Sequence, residues 1–178
     1  MTADTPSTRG DGVQSPLPRA AYIPGGPFSR PDEPRDESLR APAPIPDDPA
    51  GWTASAAYRR GVALWNAGYY WESHEVWESL WHAHRRVGPT ADLLKALIKL
   101  GAAGVKVRQG QPRGISVHAE RAAALFEAVR SAVGDVHLGL NLTALAASAR
   151  HLAAHPPRDP EGIETAVVVV FDFRLEPA

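Results

Sequence analysis

One stretch of this chain concentrates side chains able to do chemistry at helical spacing: Tyr70-Trp71-Glu72-Ser73-His74-Glu75-Val76-Trp77-Glu78-Ser79-Leu80-Trp81-His82. On a helix advancing about 100° per residue, with His74 at 0°, Glu78 falls near 40°, Trp81 near -20° and Arg85 near 20°. Val76, Trp77, Leu80, Ala83 and Val87 cluster on the opposite half. His74, Glu78, Trp81 and Arg85 thus form a stripe beside the core face, and Glu75 turns toward the polar side. An imidazole and a carboxylate one turn apart can share a proton or chelate one metal ion. A zincin helix carries a second histidine where this chain has Glu78, so the protease reading of such a helix does not apply. A His/Glu pair is half of a metal site, and His118 is the candidate third ligand for a divalent metal. Trp81 is the tryptophan placed to wall a pocket beside the pair.

A second cluster is basic. Lys95, Lys99 and Lys106 fall within about 40° of one another on an apolar helix that carries Leu93, Leu94, Leu97, Ile98, Leu100, Val105 and Val107. Buried charge must be paired. Lys99 and Lys106 therefore call for Glu75 and Glu78 on the neighbouring helix, or for an anionic ligand. Gly101-Ala102-Ala103-Gly104 lies between the two lysines and invites close approach of another backbone or a ligand, because helical glycine otherwise costs about 1 kcal/mol. His118 and Arg121 stand at i, i+3 on the next segment, where Arg121 can anchor an anion or bridge to Glu75. His137, His151 and His155 read as surface residues.

The elements that must position these groups follow from periodicity and punctuation. Helices are expected over about 53–67, 70–87, 90–109, 112–133 and 135–154, with Thr53 or Ser55 and Thr90 as caps and Asn66-Ala67-Gly68, Gly88-Pro89, Gly110 and Gly134 as stops. The third is apolar on nearly every side, as a central helix must be. Short connections between five helices make an all-α, antiparallel bundle. Of the 17 prolines in the 178 residues, 11 lie in residues 1–50, whereas every histidine and tryptophan lies after them. The expected organisation is a disordered Pro-rich lead over 1–50, a helical domain over 51–155 and an extended tail over 156–178. Tyr22-Ile23-Pro24-Gly25-Gly26-Pro27-Phe28 is the part of the lead able to dock. In the tail, Val167–Val170 and the alternation Phe171, Phe173, Leu175 read as an extended segment. That segment can cross the bundle, pair with 22–28, or pair with a second subunit to make a homo-oligomer.

Composition narrows the function classes. The net charge is -1 and there is no cysteine, so a disulfide scaffold, a thiol nucleophile and a cysteine zinc site are excluded. No basic run points to nucleic acid, and no run of apolar residues is long enough for a membrane span. A cytoplasmic protein is expected. No second copy of the helix pair recurs at a period near 34 residues, which speaks against a tetratricopeptide array.

The stretch from Trp65-Asn66-Ala67-Gly68-Tyr69-Tyr70 through Glu72-Ser73-His74-Glu75 and Glu78 to Trp81 closely resembles the signature of the family called domain of unknown function 309. Leu97-Ile98-Lys99-Leu100 through Lys106 to Gly110-Gln111-Pro112-Arg113-Gly114 resembles its second, weaker signature, and the likeness runs from about Tyr58 to Val129. The chain departs from the family pattern in carrying Lys99 for a usual Gln, Lys106 for a usual His and Gln111 for a usual Asn. The resemblance implies a compact helical bundle with a polar cluster around His74, Glu75 and Glu78, and it supplies no reaction. Two functional readings follow. The first is a small-ligand-binding or structural/interaction domain using His74, Glu75, Glu78, Trp81, Lys99, Lys106, His118 and Arg121. The alternative is a metal-dependent hydrolase using His74, Glu78 and His118.

Overall fold

The computed structural model of the chain describes residues 16–30, 37–157 and 162–178. The rest of the Pro-rich lead, and residues 158–161 of the tail, lie outside the described residues. A single helical turn, α1 (Glu37–Arg40), and a 3-10 turn at Gly51–Thr53 precede the bundle. Its five helices are α2 (Ala56–Asn66), α3 (Tyr70–Ala83), α4 (Pro89–Arg108), α5 (Pro112–Val133) and α6 (Leu142–Ala154). The fold is all-α, as the periodicity predicts.

Local chemistry accounts for most boundaries. The Ser55 hydroxyl accepts from the Tyr58 amide at 3.2 Å and starts α2. Helix α4 begins one residue earlier than expected, with Pro89 in its first turn, where a missing N–H costs nothing. Thr90 is then free of capping duty, and its hydroxyl meets His137 Nε2 at 3.0 Å. Helix α3 stops at Ala83, short of Val87, because Arg85 and Arg86 take left-handed backbone (φ 56° and 62°) to turn the chain toward Gly88-Pro89. Arg85 therefore leaves the His74 stripe. Helix α6 starts at Leu142 rather than Asp135. A two-residue ladder, β1 (Val136–His137) with β2 (Leu140–Asn141), fills the difference around Leu138-Gly139, both at positive φ as a primed hairpin turn requires. Asn141 then caps α6 by accepting from the Ala144 amide at 2.9 Å.

Successive helices pack on one another, and α4 lies between α3 and α5. Leu93, Leu94, Leu97 and Leu100 are fully buried, which explains the all-round greasiness of α4. The α3–α4 crossing is close. A Cβ on Gly104 would come 2.6 Å from Tyr70 Cγ, and one on Gly101 would come 3.1 Å from the Tyr70 carbonyl oxygen and 3.4 Å from His74 Cβ.

The two extended segments lie across this bundle. In the tail, Phe171 stacks on Trp65 (centroids 5.1 Å apart, planes 11° apart) and meets the edge of Tyr70 at 5.1 Å. Asn66 clasps Leu175 through both its amide atoms at 2.8 Å, and Val170 N–H donates to the Tyr70 hydroxyl at 2.9 Å. Burial pushes the Tyr70 phenol up to about 12, so this hydroxyl stays neutral. In the lead, Ala21 and Ile23 are buried, and the Ala21 amide donates to the Ala166 carbonyl at 2.8 Å.

Removing the Phe171 ring leaves a cavity among Trp65, Tyr70 and Phe173. Phe171→Ala is expected to lower unfolding free energy by about 3 kcal/mol. Val169→Ala, at a residue 52% exposed, should change it by less than about 0.5 kcal/mol. Urea denaturation checks both. Equal small effects would mean that the tail does not pack as described.

Candidate functional site

Because Gly101 and Gly104 let α3 approach α4 closely, the N-terminal half of α3 lies over the C-terminal half of α4. A half-open cavity of about 200 Å³ forms there. It is lined by Trp71 and His74 from α3, Ala102, Val105 and Lys106 from α4, Gln109 just beyond α4, His118 from α5, and Pro24 from the lead. Of the residues singled out in the sequence, His74, Lys106 and His118 meet at this one cavity. Glu75, Glu78, Trp81, Lys99 and Arg121 are not in its lining.

The electrostatics are unequal. Burial lowers the affinity of His74 for a proton, and Lys99 lowers it further, against the opposite pull of Glu78 and Glu75. Burial likewise depresses His118, and Lys99, Lys106, Arg121 and His74 all add to the depression. Both imidazoles are therefore held neutral. The Nδ1 atom of His118 and the Trp71 indole nitrogen are buried with no hydrogen-bond partner among the described residues, whereas the His74 ring meets the Trp71 backbone, a contact that favours its protonated form. Lys106 Nζ donates to Gln109 Oε1 and Gln111 Oε1, both at 2.9 Å. Two neutral amides thus satisfy two of its three N–H groups, and no carboxylate among the described residues pairs with it.

The expected pairing of Lys99 and Lys106 with Glu75 and Glu78 is absent. Glu75 is instead taken by Arg30 of the lead. Neither lysine forms an ion pair with a described carboxylate, which leaves the anionic-ligand branch of the sequence argument. Among the described residues, no group of three or more His, Asp or Glu side chains is arranged to hold a metal ion. The observed geometry therefore gives His74, Glu78 and His118 no three-ligand set on which the hydrolase alternative could rest.

Trp81 lies two turns along α3 from His74, about 10 Å at 1.5 Å per residue. Its ring is flanked by Arg86 at 5.0 Å and Lys95 at 5.9 Å, outside the cavity. The cavity wall is Trp71, whose ring centre is 5.5 Å from that of His74. Trp71 sits three residues before His74, so helical spacing already placed it on the same side. Gln109, three residues after Lys106, carried the same signal.

The fourth wall comes from the lead, which runs across α3 as a strap. Tyr69 donates to the Pro18 carbonyl at 2.7 Å, the Tyr22 ring meets Trp71 edge-on at 5.2 Å, and Gln109 Nε2 donates to the Pro24 carbonyl at 2.8 Å. Gln109 therefore joins the strap to Lys106 through one amide. Glu72 is the buried anchor. Its Oε1 accepts from the Tyr22 amide at 2.8 Å, while Oε2 is buried without a partner among the described residues. Burial raises the Glu72 pKa, more than the Tyr22 hydrogen bond lowers it.

The fold and cavity define a class: an all-helical bundle that walls a small, cation-bearing pocket between three helices and an extended strap. Residues 58–117, from Tyr58 at the start of α2 to Val117 beside the cavity histidine, match the family model described as domain of unknown function (DUF309). This is the family the sequence motifs resemble. No curated protein and no solved structure matches the chain. No helix among the described residues is long and apolar enough to cross a membrane.

A carboxyl whose folded-state pKa is raised favours the folded state while protonated, and that contribution is lost as pH rises from its ordinary value of 4.5 through the raised one. Glu72→Gln keeps an acceptor for the Tyr22 amide and removes the charge. The variant should melt higher than the wild type at neutral pH, with the gap closing toward pH 4.5. Thermal melts across that range check this, and a variant that melts lower at neutral pH would show that Glu72 works as a stabilising carboxylate.

Proposed function

We propose that the cavity binds a small organic anion, with its carboxylate against Lys106 and His118 and its apolar body along Trp71, Ala102 and Val105. The observation that carries this reading is the Lys106 ammonium, without a carboxylate partner among the described residues, beside two half-buried neutral imidazoles, with the Nδ1 atom of His118 buried and unpartnered among those residues. A carboxylate supplies what the residues lack, namely a counter-charge for Lys106 and an acceptor for ring N–H groups. Charge-assisted hydrogen bonds of this kind are the strong ones. The cavity volume lies below the range of drug-sized pockets, so the ligand is small. The chain holds Lys106 where the family pattern it resembles has a histidine, which makes the permanent cation a property of this chain. In this role the protein is a binding domain, and the strap walls the ligand through Pro24.

Binding carries a pH signature. An anion beside His74 and His118 offsets the burial and the neighbouring lysines that keep them neutral, so binding draws protons in. Affinity should rise as pH falls from about 7.5 to about 5.5.

Calorimetric titration with sodium benzoate tests the reading, with inorganic phosphate as a polar comparison. Benzoate should bind, and Lys106→Gln should weaken it about tenfold or more, the size of a lost charge-assisted hydrogen bond. Lys95→Gln, which alters the cation over Trp81, should leave it unchanged. Failure of both anions to bind, or equal affinity in Lys106→Gln and wild type, contradicts the proposal.

A further inference from the structure

The end of α6 holds a second pair of histidines, neither of them in the cavity lining. His151 and His155 lie one turn apart, both exposed, with ring centres 4.6 Å apart and planes 31° apart. We propose that they form a bidentate site for a divalent transition metal, with copper(II) preferred.

The spacing suits chelation. Metal–nitrogen bonds of roughly 2.0–2.1 Å, with each ring centre roughly 1.2 Å further on, put two imidazoles held at about 90–110° some 4.6–5.3 Å apart between centres. The ring centres stand at the short end of that range already. Tautomer and charge agree with this. His155 Nδ1 lies 3.2 Å from the His151 carbonyl, which can only accept, so Nδ1 carries the hydrogen and Nε2 keeps its lone pair for a metal. A backbone carbonyl behind the non-ligating ring nitrogen is the usual support of a metal-bound histidine. The pair also sits at the carboxyl end of a 13-residue helix, where the backbone dipole favours a cation. Pro156 and Pro157 follow directly and bring no N–H to compete for the terminal carbonyls. Two imidazoles leave further coordination positions to water or to a donor on another molecule. Imidazole ligands rank copper(II) above zinc and nickel.

Titration of the full-length protein with copper(II) chloride, followed by visible absorption and electron paramagnetic resonance, tests the site. The wild type should bind one equivalent with two nitrogen donors in the resonance spectrum. His151→Ala and His155→Ala should each weaken it at least tenfold and remove one nitrogen. His74→Ala should leave it intact, which separates this site from the cavity. Both end variants are surface changes that spare the core, and circular dichroism verifies their fold. Equal copper affinity in wild type and His151→Ala, or loss of the signal in His74→Ala alone, overturns the proposal. Its outcome is independent of whether the cavity binds anions.

Discussion

The approach of α3 to α4 at Gly101 and Gly104 governs everything built above it. With a Cβ at Gly104, the Tyr70 ring would have to move away, taking with it the hydroxyl that holds Val170 and the face that receives Phe171. The same displacement would lift His74 from the segment of α4 that carries Ala102, Val105 and Lys106. Packed interiors resist such shifts, since even one methylene is felt there. The small-residue crossing therefore sets at once where the tail docks and how wide the cavity stands.

The cavity then inherits an imbalance of charge. Lys106 is held by amides rather than by a described carboxylate, Lys99 and Arg121 act on the same histidine, and Glu75 pairs with Arg30 instead. On the strap side, Glu72 is buried with one oxygen bonded to Tyr22 and the other unpaired. Gln109 links the ammonium of the pocket to the strap at Pro24, and Glu72 holds the same strap at Tyr22. The exposed Arg30–Glu75 pair adds little to stability, as surface ion pairs generally do. The hold of the strap rests on backbone hydrogen bonds and on the burial of Ala21 and Ile23.

Much of this was legible in the residues. The all-round apolarity of α4, the Ser55 cap and the small-residue run of α4 follow from elementary packing and capping, and they led to the central helix and its close neighbour. The boundary of α6 was not legible, because Asp135 and Asn141 are both good caps and the two-residue ladder between them depends on a turn, not on propensity. Trp81 was preferred over Trp71 because rotation about the helix was weighed without translation along it. The strap was legible only as the segment 22–28 able to dock, and the surface it docks on was not. Its contacts run through the carbonyls of Pro16, Pro18 and Pro24 and the amide of Tyr22, and backbone groups are the same in every sequence. His151 and His155 read as surface residues in the sequence, and only the ring geometry and the carbonyl at Nδ1 give their four-residue spacing chemical meaning.

The account turns on neutral imidazoles beside an unbalanced ammonium, and the titration of His118 in the ligand-free protein measures that state most directly. Followed by nuclear magnetic resonance of its ring nitrogens, His118 should take up its proton below the ordinary histidine value of 6.5, and Lys106→Gln should move the midpoint upward. A midpoint at or above 6.5 in the wild type, unmoved by that substitution, would mean that burial and the lysines do not act on this ring, and the cavity would lose its argument for an anion.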